Sequence, residues 1–112
     1  MPNNAKRLDR VFRALGDPTR RAVVGRLSSG PAAVSELAQP FDMALPSFTQ
    51  HLAVLEGCGL VRSRKTGRVR TLQLVPQPLQ AAERWMVEQR ALWEHRLDQL
   101  DAYLKDLKER EE

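Results

Sequence analysis

Residues 45–61 read LPSFTQHLAVLEGCGLV and begin with a helical repeat. Apolar side chains recur there at steps of three and four residues: Leu45, Phe48, Leu52 and Leu55. This spacing places them on one face of an α-helix, which we predict over residues 45–58. The other face presents Val54 and hydrogen-bonding side chains: Ser47, Thr49, Gln50 and His51. No residue from Leu45 to Leu55 is charged, so we predict that this neutral face contacts another molecule.

Three shorter helices are predicted before this stretch, over residues 5–15, 18–27 and 35–41. The apolar face of the first consists of Ala5, Leu8, Val11, Phe12 and Leu15. Gly16 ends it, Asp17 caps the second helix, and Pro18 occupies the first helical position, where no N–H is needed. The side chains expected to be buried from the second helix are Ala22, Val23, Val24 and Leu27. Ser35 is the expected cap of the third helix, and residues 42–44 form a tight connection to helix 45–58.

The period changes at residues 60–75, where Val, Leu and Thr alternate with charged residues as in β-strands. The turn is predicted at residues 65–68, where Gly67 supplies the positive φ that hairpin turns need. Five cations with no acid between them lie on this ribbon: Arg62, Arg64, Lys65, Arg68 and Arg70. Charges of one sign repel on so small a ribbon, and an anionic partner would relieve the repulsion. The alternative is an edge strand whose cations prevent pairing with other strands.

From Leu79 onward the chain contains no Gly or Pro and is predicted to form a long helix within residues 78–108. Its apolar residues follow the heptad spacing of a coiled coil: Trp93, Leu97, Leu100, Leu104 and Leu107. A helix of about 30 residues is about 45 Å long, a length that one chain of 112 residues cannot easily bury. Trp85 and Trp93 are therefore expected in the core or in a dimer interface.

The composition is that of a globular domain, with 42% hydrophobic, 29% charged and only 5% aromatic residues, which predicts an aliphatic core. Residues 1–75 contain twelve Lys or Arg and five Asp or Glu, whereas residues 76–112 contain six and nine. The resulting net charges of +7 and −3 suggest a polyanionic partner for the first part only. With Cys58 as the single cysteine and no apolar run of the roughly 18 residues that a membrane span needs, a reducing cytoplasm is expected.

The order helix, helix, short helix, turn, helix, hairpin and long helix predicts one winged helix-turn-helix domain, mainly α with a β-hairpin wing, over residues 1–112. Residues 5–75 would form a DNA-binding core with helix 45–58 as recognition helix. Gln50 is the best candidate for a base contact, because its amide can bond adenine twice, and Ser47 and Thr49 suit phosphates or base edges. His51 either bonds a phosphate or packs against the wing. The alternative for this face is burial beneath another helix.

Three segments resemble the ArsR family of bacterial winged-helix repressors: ALGDPTRRAVVGRL (14–27), ELAQPFDMALPSFTQHLAVLEGCGLV (36–61) and RKTGRVRTLQL (64–74). The resemblance covers nearly the whole chain and implies a homodimer that joins through the first and last helices. The residues expected in that interface are Leu8, Phe12, Trp93, Leu97, Leu100, Leu104 and Leu107. The resemblance also implies binding to a double-stranded DNA operator, which blocks transcription until an effector releases it. Two-fold symmetry predicts an inverted repeat with half-sites about one helical turn apart.

The resemblance is to a branch without the Cys-x-Cys of metal-sensing relatives, because the matching residues 36–42 contain no cysteine. In the last helix, His95 is accompanied only by Glu94, Asp98 and Asp101, so no metal or other cofactor is predicted and the effector stays open. The chain has no Gly-rich phosphate loop and no nucleophile with an orienting His, so an enzyme is not predicted. The alternative function is a protein-interaction module whose C-terminal helix recruits a different chain.

Overall fold

The computed structural model describes residues 4–111, most of which are helical. The helices are α1 (Asn4–Leu15), α2 (Pro18–Leu27), α3 (Val34–Ala38), α4 (Leu45–Gly57) and α5 (Pro76–Glu111). The strands are β1 (Ala32–Ala33), β2 (Val61–Thr66) and β3 (Val69–Leu74). They form an antiparallel sheet in the order β1–β3–β2. The chain is thus mainly α with a β-hairpin wing, and the predicted winged helix-turn-helix is confirmed.

The core of residues 4–82 is almost entirely aliphatic, as the composition predicts. Every element of this unit contributes buried side chains: Val11, Ala14, Val23, Val24, Leu27, Ala32, Leu37, Phe48, Leu52, Leu55, Leu60, Val61, Leu72 and Ala82. Phe48 supplies the buried aromatic ring, whose centroid lies 5.3 Å from that of the half-buried Phe41. Because these side chains are apolar, burial of hydrocarbon surface is the main source of stability in this unit.

The helical repeats predict most of the buried faces, with three errors. Leu45 is 57% exposed, because it is the first residue of α4 and lies beyond the core that Phe48 enters one turn later. Ala22 is exposed, since Val23, Val24 and Leu27 already occupy the buried side of α2. Ala5 is exposed as well, at the beginning of α1.

The segment before α4 differs most from the prediction. β1 is not predicted, yet Ala32 and Ala33 pair with β3 and extend the hairpin into a three-stranded sheet. Because Ala33 is held in extended backbone, α3 begins at Val34, and Ala33 rather than Ser35 is the N-cap, without a side-chain hydrogen bond. α3 ends at Ala38 instead of residue 41, since Pro40 has no N–H with which to continue the helix.

A tight turn at Gly59 places the wing immediately after α4. Gly59 has a φ of +83°, a conformation in which a side chain is strained. Its amide donates to the carbonyl of Glu56 at 3.1 Å, and the amide of Leu60 donates to the carbonyl of Leu55 at 3.0 Å. This pair of bonds is the Schellman motif, which satisfies the last carbonyls of a helix and reverses the chain. The first strand of the wing therefore begins only two residues after Gly59.

The turn at the tip of the wing is formed by Gly67 and Arg68. Thr66 pairs with Val69 across the hairpin, so the turn spans residues 66–69, one residue later than predicted. Gly67 has a φ of +62°, which confirms that its lack of a side chain is needed there.

α5 is a 36-residue helix that begins at Pro76, two residues before the predicted start, and continues to Glu111. A proline is tolerated there because the first turn of a helix needs no N–H partner. Residues 76–82 belong to the compact unit that contains the core, and residues 83–111 form a second unit. In the second unit the heptad side chains are between 38% and 64% exposed: Trp93, Leu97, Leu100, Leu104 and Leu107.

Asp17 closes the beginning of α2, as predicted. Its carboxylate accepts a hydrogen bond from the amide of Arg20 at 3.1 Å, and Pro18 follows it in the first turn. This hydrogen bond is the main reason that the pKa of Asp17 lies below its ordinary value. Desolvation raises the pKa, whereas the charge of Arg20, and that of His51 when its ring is protonated, lower it further. The ionised carboxylate is thus the form that the folded chain favours.

We expect Asp17→Asn to keep the cap but remove its pH dependence, because asparagine is an equally good N-cap without a charge. Since the pKa of Asp17 is lowered by folding, its charge stabilises the fold above the pKa of an unfolded aspartate. That contribution is lost as the pH falls through the folded pKa. Urea unfolding at a series of pH values should show a wild-type advantage near neutral pH that disappears in acid. An advantage that persists in acid would contradict this assignment.

Candidate DNA-binding interface

The outer face of α4 is exposed and neutral. Phe48 is 1% exposed and Leu52 is fully buried, so this helix is held firmly against the core. Ser47 and Gln50 are exposed on the other side, and neither side chain forms a hydrogen bond within residues 4–111. The donors and acceptor of the Gln50 amide are therefore available to an external ligand. Within residues 4–111 no other helix buries this face, which was the alternative left open above.

Thr49 lies at the edge of this face and is half-buried. Its hydroxyl donates to the carbonyl of Pro46 at 3.0 Å within α4 itself. Because the single hydroxyl proton is engaged, Thr49 can only accept a hydrogen bond from an external ligand.

His51 is directed toward the beginning of α2 instead of the wing. Its Nδ1 lies 3.1 Å from Nη1 of Arg20 and 3.7 Å from Oδ2 of Asp17. A guanidinium has only donors, so Nδ1 accepts this bond and the proton of the neutral ring resides on Nε2. Of the two alternatives for His51, a phosphate contact would require a donor, which Nε2 supplies.

Arg20 connects three helices and is a residue that the sequence does not reveal. Its Nε donates to the carbonyl of Ala14 at 2.7 Å and its Nη2 to the carbonyl of Arg13 at 3.0 Å, at the end of α1. Its third bond reaches His51 on α4. One side chain of α2 thus satisfies terminal carbonyls of α1 and orients a ring on the candidate recognition helix.

Strand pairing divides the wing cations between two faces of the hairpin. Arg62 and Arg64 are exposed and, with polar side chains of β3, line an open cleft of about 640 Å³. Neither arginine forms an ion pair in the part of the chain that the structure describes. Lys65 and Arg70 are cross-strand partners on the opposite face, because side chains alternate along a strand.

Arg70 is paired with a carboxylate of α4. Its Nη2 donates to Oε2 of Glu56 at 2.8 Å, and the hydroxyl of Ser63 donates to Oε1 of Glu56 at 2.6 Å. The wing has no acid along its own sequence, but the fold supplies one from the neighbouring helix, so Arg70 is not a free cation. Glu56, like Arg20, is absent from the contacts that the sequence predicts. It is the only carboxylate in α4 and precedes five cations, which is the pattern that could have indicated the pair.

The tip of the wing presents unpaired positive charge. Arg68, in the turn, and Lys65, at the end of β2, are both exposed, and neither forms an ion pair within residues 4–111. A neutral hydrogen-bonding helix followed by a cationic hairpin suits a nucleic-acid duplex, whose groove edges need donors and acceptors and whose backbone needs cations.

Comparisons with known proteins agree with this geometry. Residues 15–64 match the protein family described as a helix-turn-helix domain. The chain is 48% identical to the HTH-type transcriptional regulator Rv2034 of Mycobacterium tuberculosis over 73 residues. These residues are 65% of this chain and 68% of that protein. Among solved structures, the chain resembles the crystal structure of an ArsR family transcriptional regulator with a TM-score of 0.78 and 56% sequence identity. The match covers 84% of this chain and 97% of that one. The chain belongs to the ArsR family.

Two further relatives of this ArsR-family chain are informative. The transcriptional repressor SdpR of Bacillus subtilis is 29% identical over 80 residues, which cover 71% of this chain and 89% of SdpR. A homodimeric winged helix-turn-helix domain of Mycobacterium bovis, solved in solution, is 25% identical, with a TM-score of 0.62 over 81% of this chain and 82% of that one. Membership of the ArsR family makes this chain a DNA-binding transcriptional regulator and not an enzyme.

The described part of this ArsR-family chain contains no group of three or more His, Cys, Asp or Glu side chains that could hold a metal ion. Cys58 is half-buried, packs against the core and donates its thiol to the carbonyl of Leu55 at 3.3 Å. None of the helices within residues 4–111 is long and apolar enough to cross a membrane.

Proposed function

We propose that two copies of this ArsR-family chain form a homodimer that binds an inverted-repeat operator and represses transcription. The observation that supports this most directly is the neutral, hydrogen-bonding face of α4 immediately before a cationic hairpin. In this proposal α4 enters a major groove, and the wing contacts phosphates or the adjacent minor groove. Similarity to the repressor SdpR supports repression. The protein would act in the cytoplasm, where bacterial operator DNA lies.

The proposed contacts follow from which atoms are free. Gln50 reads a base edge, because both ends of its amide are available. Ser47 and Thr49 contact base edges or phosphates, Ser47 as donor or acceptor and Thr49 as acceptor. His51 donates to a phosphate through Nε2, since Nδ1 is engaged by Arg20. The cations proposed to contact phosphates are Arg62, Arg64, Lys65 and Arg68.

The homodimer is supported by the apolar side chains that residues 83–111 leave in water. Trp93 is 64% exposed, and Leu97, Leu100 and Leu104 are each more than half exposed. They follow a heptad, the spacing with which one helix packs against another. From α1, Leu8 and Phe12 are only half-buried and are proposed to complete the interface. The homodimeric relative from Mycobacterium bovis supports the same assembly.

Selection of bound fragments from random DNA with the purified protein tests the operator directly. We expect enrichment of one inverted repeat whose half-sites lie about one helical turn apart, 10–10.5 base pairs between their centres. Enrichment of no sequence, with binding that salt abolishes equally for every fragment, would contradict the proposal.

Gln50→Ala is expected to relax base preference at one position of each half-site. Loss of a bidentate amide contact should reduce discrimination there by about 1–3 kcal/mol and leave the other positions unchanged. Competition binding with operators substituted at each position measures this effect. Gln80→Ala, which removes the same exposed amide from the beginning of α5, is the control and should change no preference. Unchanged preference in Gln50→Ala would exclude Gln50 as the base contact.

Arg68→Ala is expected to weaken binding to all sequences alike, because a phosphate contact does not depend on the base. The slope of log K against log salt should become shallower by about 0.9 for each half-site. Titrations of the selected operator and of an unrelated duplex, at several salt concentrations, measure both effects. Arg84→Ala removes an equal charge from α5 and should leave the slope unchanged. Equal slopes for Arg68→Ala and the wild type would exclude a phosphate contact at the tip.

A further inference from the structure

Glu56 joins the end of α4 to both strands of the wing. Its two carboxylate oxygens accept from different residues, Oε1 from Ser63 on β2 at 2.6 Å and Oε2 from Arg70 on β3 at 2.8 Å. Nη2 of Arg70 also lies 3.5 Å from the hydroxyl of Ser63, so the three side chains form a closed triangle. Arg70 and Glu56 are 41% and 38% exposed, which places the triangle at the surface between helix and hairpin.

The position of Glu56 within its helix does not by itself favour a carboxylate. It lies in the last turn of α4, where the helix dipole presents partial negative charge and disfavours an acid. Lys65 is the cross-strand partner of Arg70, and like charges directly opposite each other repel. Glu56 therefore offsets a repulsion that the wing sequence creates, and its stabilising contacts are with the wing and not with its own helix.

The ion pair with Glu56 also affects how strongly Arg70 can bind a phosphate. A guanidinium whose charge is balanced by a carboxylate at 2.8 Å attracts a phosphate less than a free one. Arg68 at the tip and Arg64 on the other face have no such partner within the described chain. The five wing cations are thus not equivalent, although they look alike in the sequence.

We propose that Glu56 is a positioning residue for operator recognition and that Arg70 acts through it rather than on the DNA. The triangle fixes the wing relative to α4, so that the base-reading helix and the phosphate-binding tip meet the duplex as one rigid unit. Arg70 makes no phosphate contact. This inference rests on the proposed function, in which α4 and the wing bind the same operator.

Salt titrations of the selected operator test the role of Arg70. We expect Arg68→Gln to make the slope of log K against log salt shallower by about 0.9 per half-site, and Arg70→Gln to leave it at the wild-type value. If Arg70→Gln made the slope as shallow as Arg68→Gln does, the inference would be overturned, because Arg70 would then contact a phosphate. If the slope kept its wild-type value in both variants, the proposed function of the wing would be contradicted instead, so the two failures are distinguishable.

A double-mutant cycle tests the role of Glu56. Glu56→Gln and Arg70→Gln should each reduce the ratio of operator to nonspecific affinity by about two- to fivefold, the range expected for a half-exposed ion pair. The double variant should be no worse than either single variant, because both remove the same triangle. Glu56→Gln combined with Arg64→Gln is the matched control, and its loss of operator affinity should be the product of the losses of the two single variants. Independent effects of Glu56→Gln and Arg70→Gln would overturn the inference, and far-ultraviolet circular dichroism checks that every variant is folded.

Discussion

Replacing Phe48 by alanine is expected to lower the free energy of unfolding by about 3–5 kcal/mol. The ring is 1% exposed and packs in the centre of the core, beside Phe41. Its removal loses the buried hydrocarbon surface and leaves a cavity that neighbouring side chains fill only in part. Because a domain of this size is stable by only about 5–15 kcal/mol, this loss is a large fraction of the wild-type stability. Urea unfolding followed by far-ultraviolet circular dichroism, at equal protomer concentration, measures the change.

Leu45→Ala is the matched control for Phe48→Ala. Both residues are apolar members of the same helical repeat in α4, but Leu45 is 57% exposed. Its truncation should change the free energy of unfolding by no more than about 0.5 kcal/mol, as is usual for surface sites. Similar losses for the two variants would show that α4 is packed differently from the arrangement described above.

Leu100→Gln combined with Leu104→Gln is expected to convert the proposed dimer into monomers and to abolish tight operator binding. A homodimer contains four such leucines, each already about half buried in the single chain. Burial of the remaining half is worth about half of the 1.5–3 kcal/mol for full burial, so about 3–6 kcal/mol of dimer stability is lost. Glutamine preserves helix propensity and adds no charge that would itself alter DNA binding. With one half-site engaged at a time, operator affinity should fall about 100-fold or more. Sedimentation equilibrium and operator titration measure the two effects.

Ala102→Gln combined with His95→Gln provides the control on the same helix. These positions lie opposite the heptad face, so both variants introduce equal amides on the two sides of one helix. The control should remain dimeric and bind the operator as the wild type does. A wild-type protein that sediments as a monomer at high concentration would favour the alternative function, recruitment of a different chain by α5.

Local patterns in the sequence predict most of the secondary structure because the determining interactions are local. Asp17 can cap α2 by bonding an amide three residues later, and Gly67 adopts a positive φ because of its own missing side chain. The winged helix-turn-helix follows from the order of such elements. The neutral face of α4 is likewise visible in the sequence, because a helix places residues at fixed angles around its axis.

Periodicity alone does not predict how far each element extends into the core. β1 contains only two residues, and its pairing with β3 joins positions almost forty residues apart. That pairing shortens α3 and replaces Ser35 by Ala33 at its beginning. Leu45 satisfies the helical repeat but lies outside the core, because burial depends on what surrounds a residue and not on its spacing.

The sequence also does not show which candidate DNA contacts are engaged by other side chains of the same chain. Nothing in the order of residues indicates that Arg20 occupies Nδ1 of His51, and nothing identifies Arg70 as the wing cation that Glu56 neutralises. Both pairs join separate secondary-structure elements, and their geometry depends on how α2, α4 and the hairpin pack. The four arginines and one lysine of the wing are equivalent in the sequence, yet the fold leaves four of these five cations free of ion pairs among the described residues.

The sequence by itself determined the class of the protein: helical periods, a glycine turn and an uncharged helix before a basic hairpin specify a winged DNA-binding domain. These features follow from backbone geometry and from interactions within a few residues. Only the tertiary structure decided which side chains remain available to DNA and which are engaged inside the chain. Hydrogen bonds and ion pairs act over about 3 Å, so they depend on contacts between elements that the order of residues does not reveal.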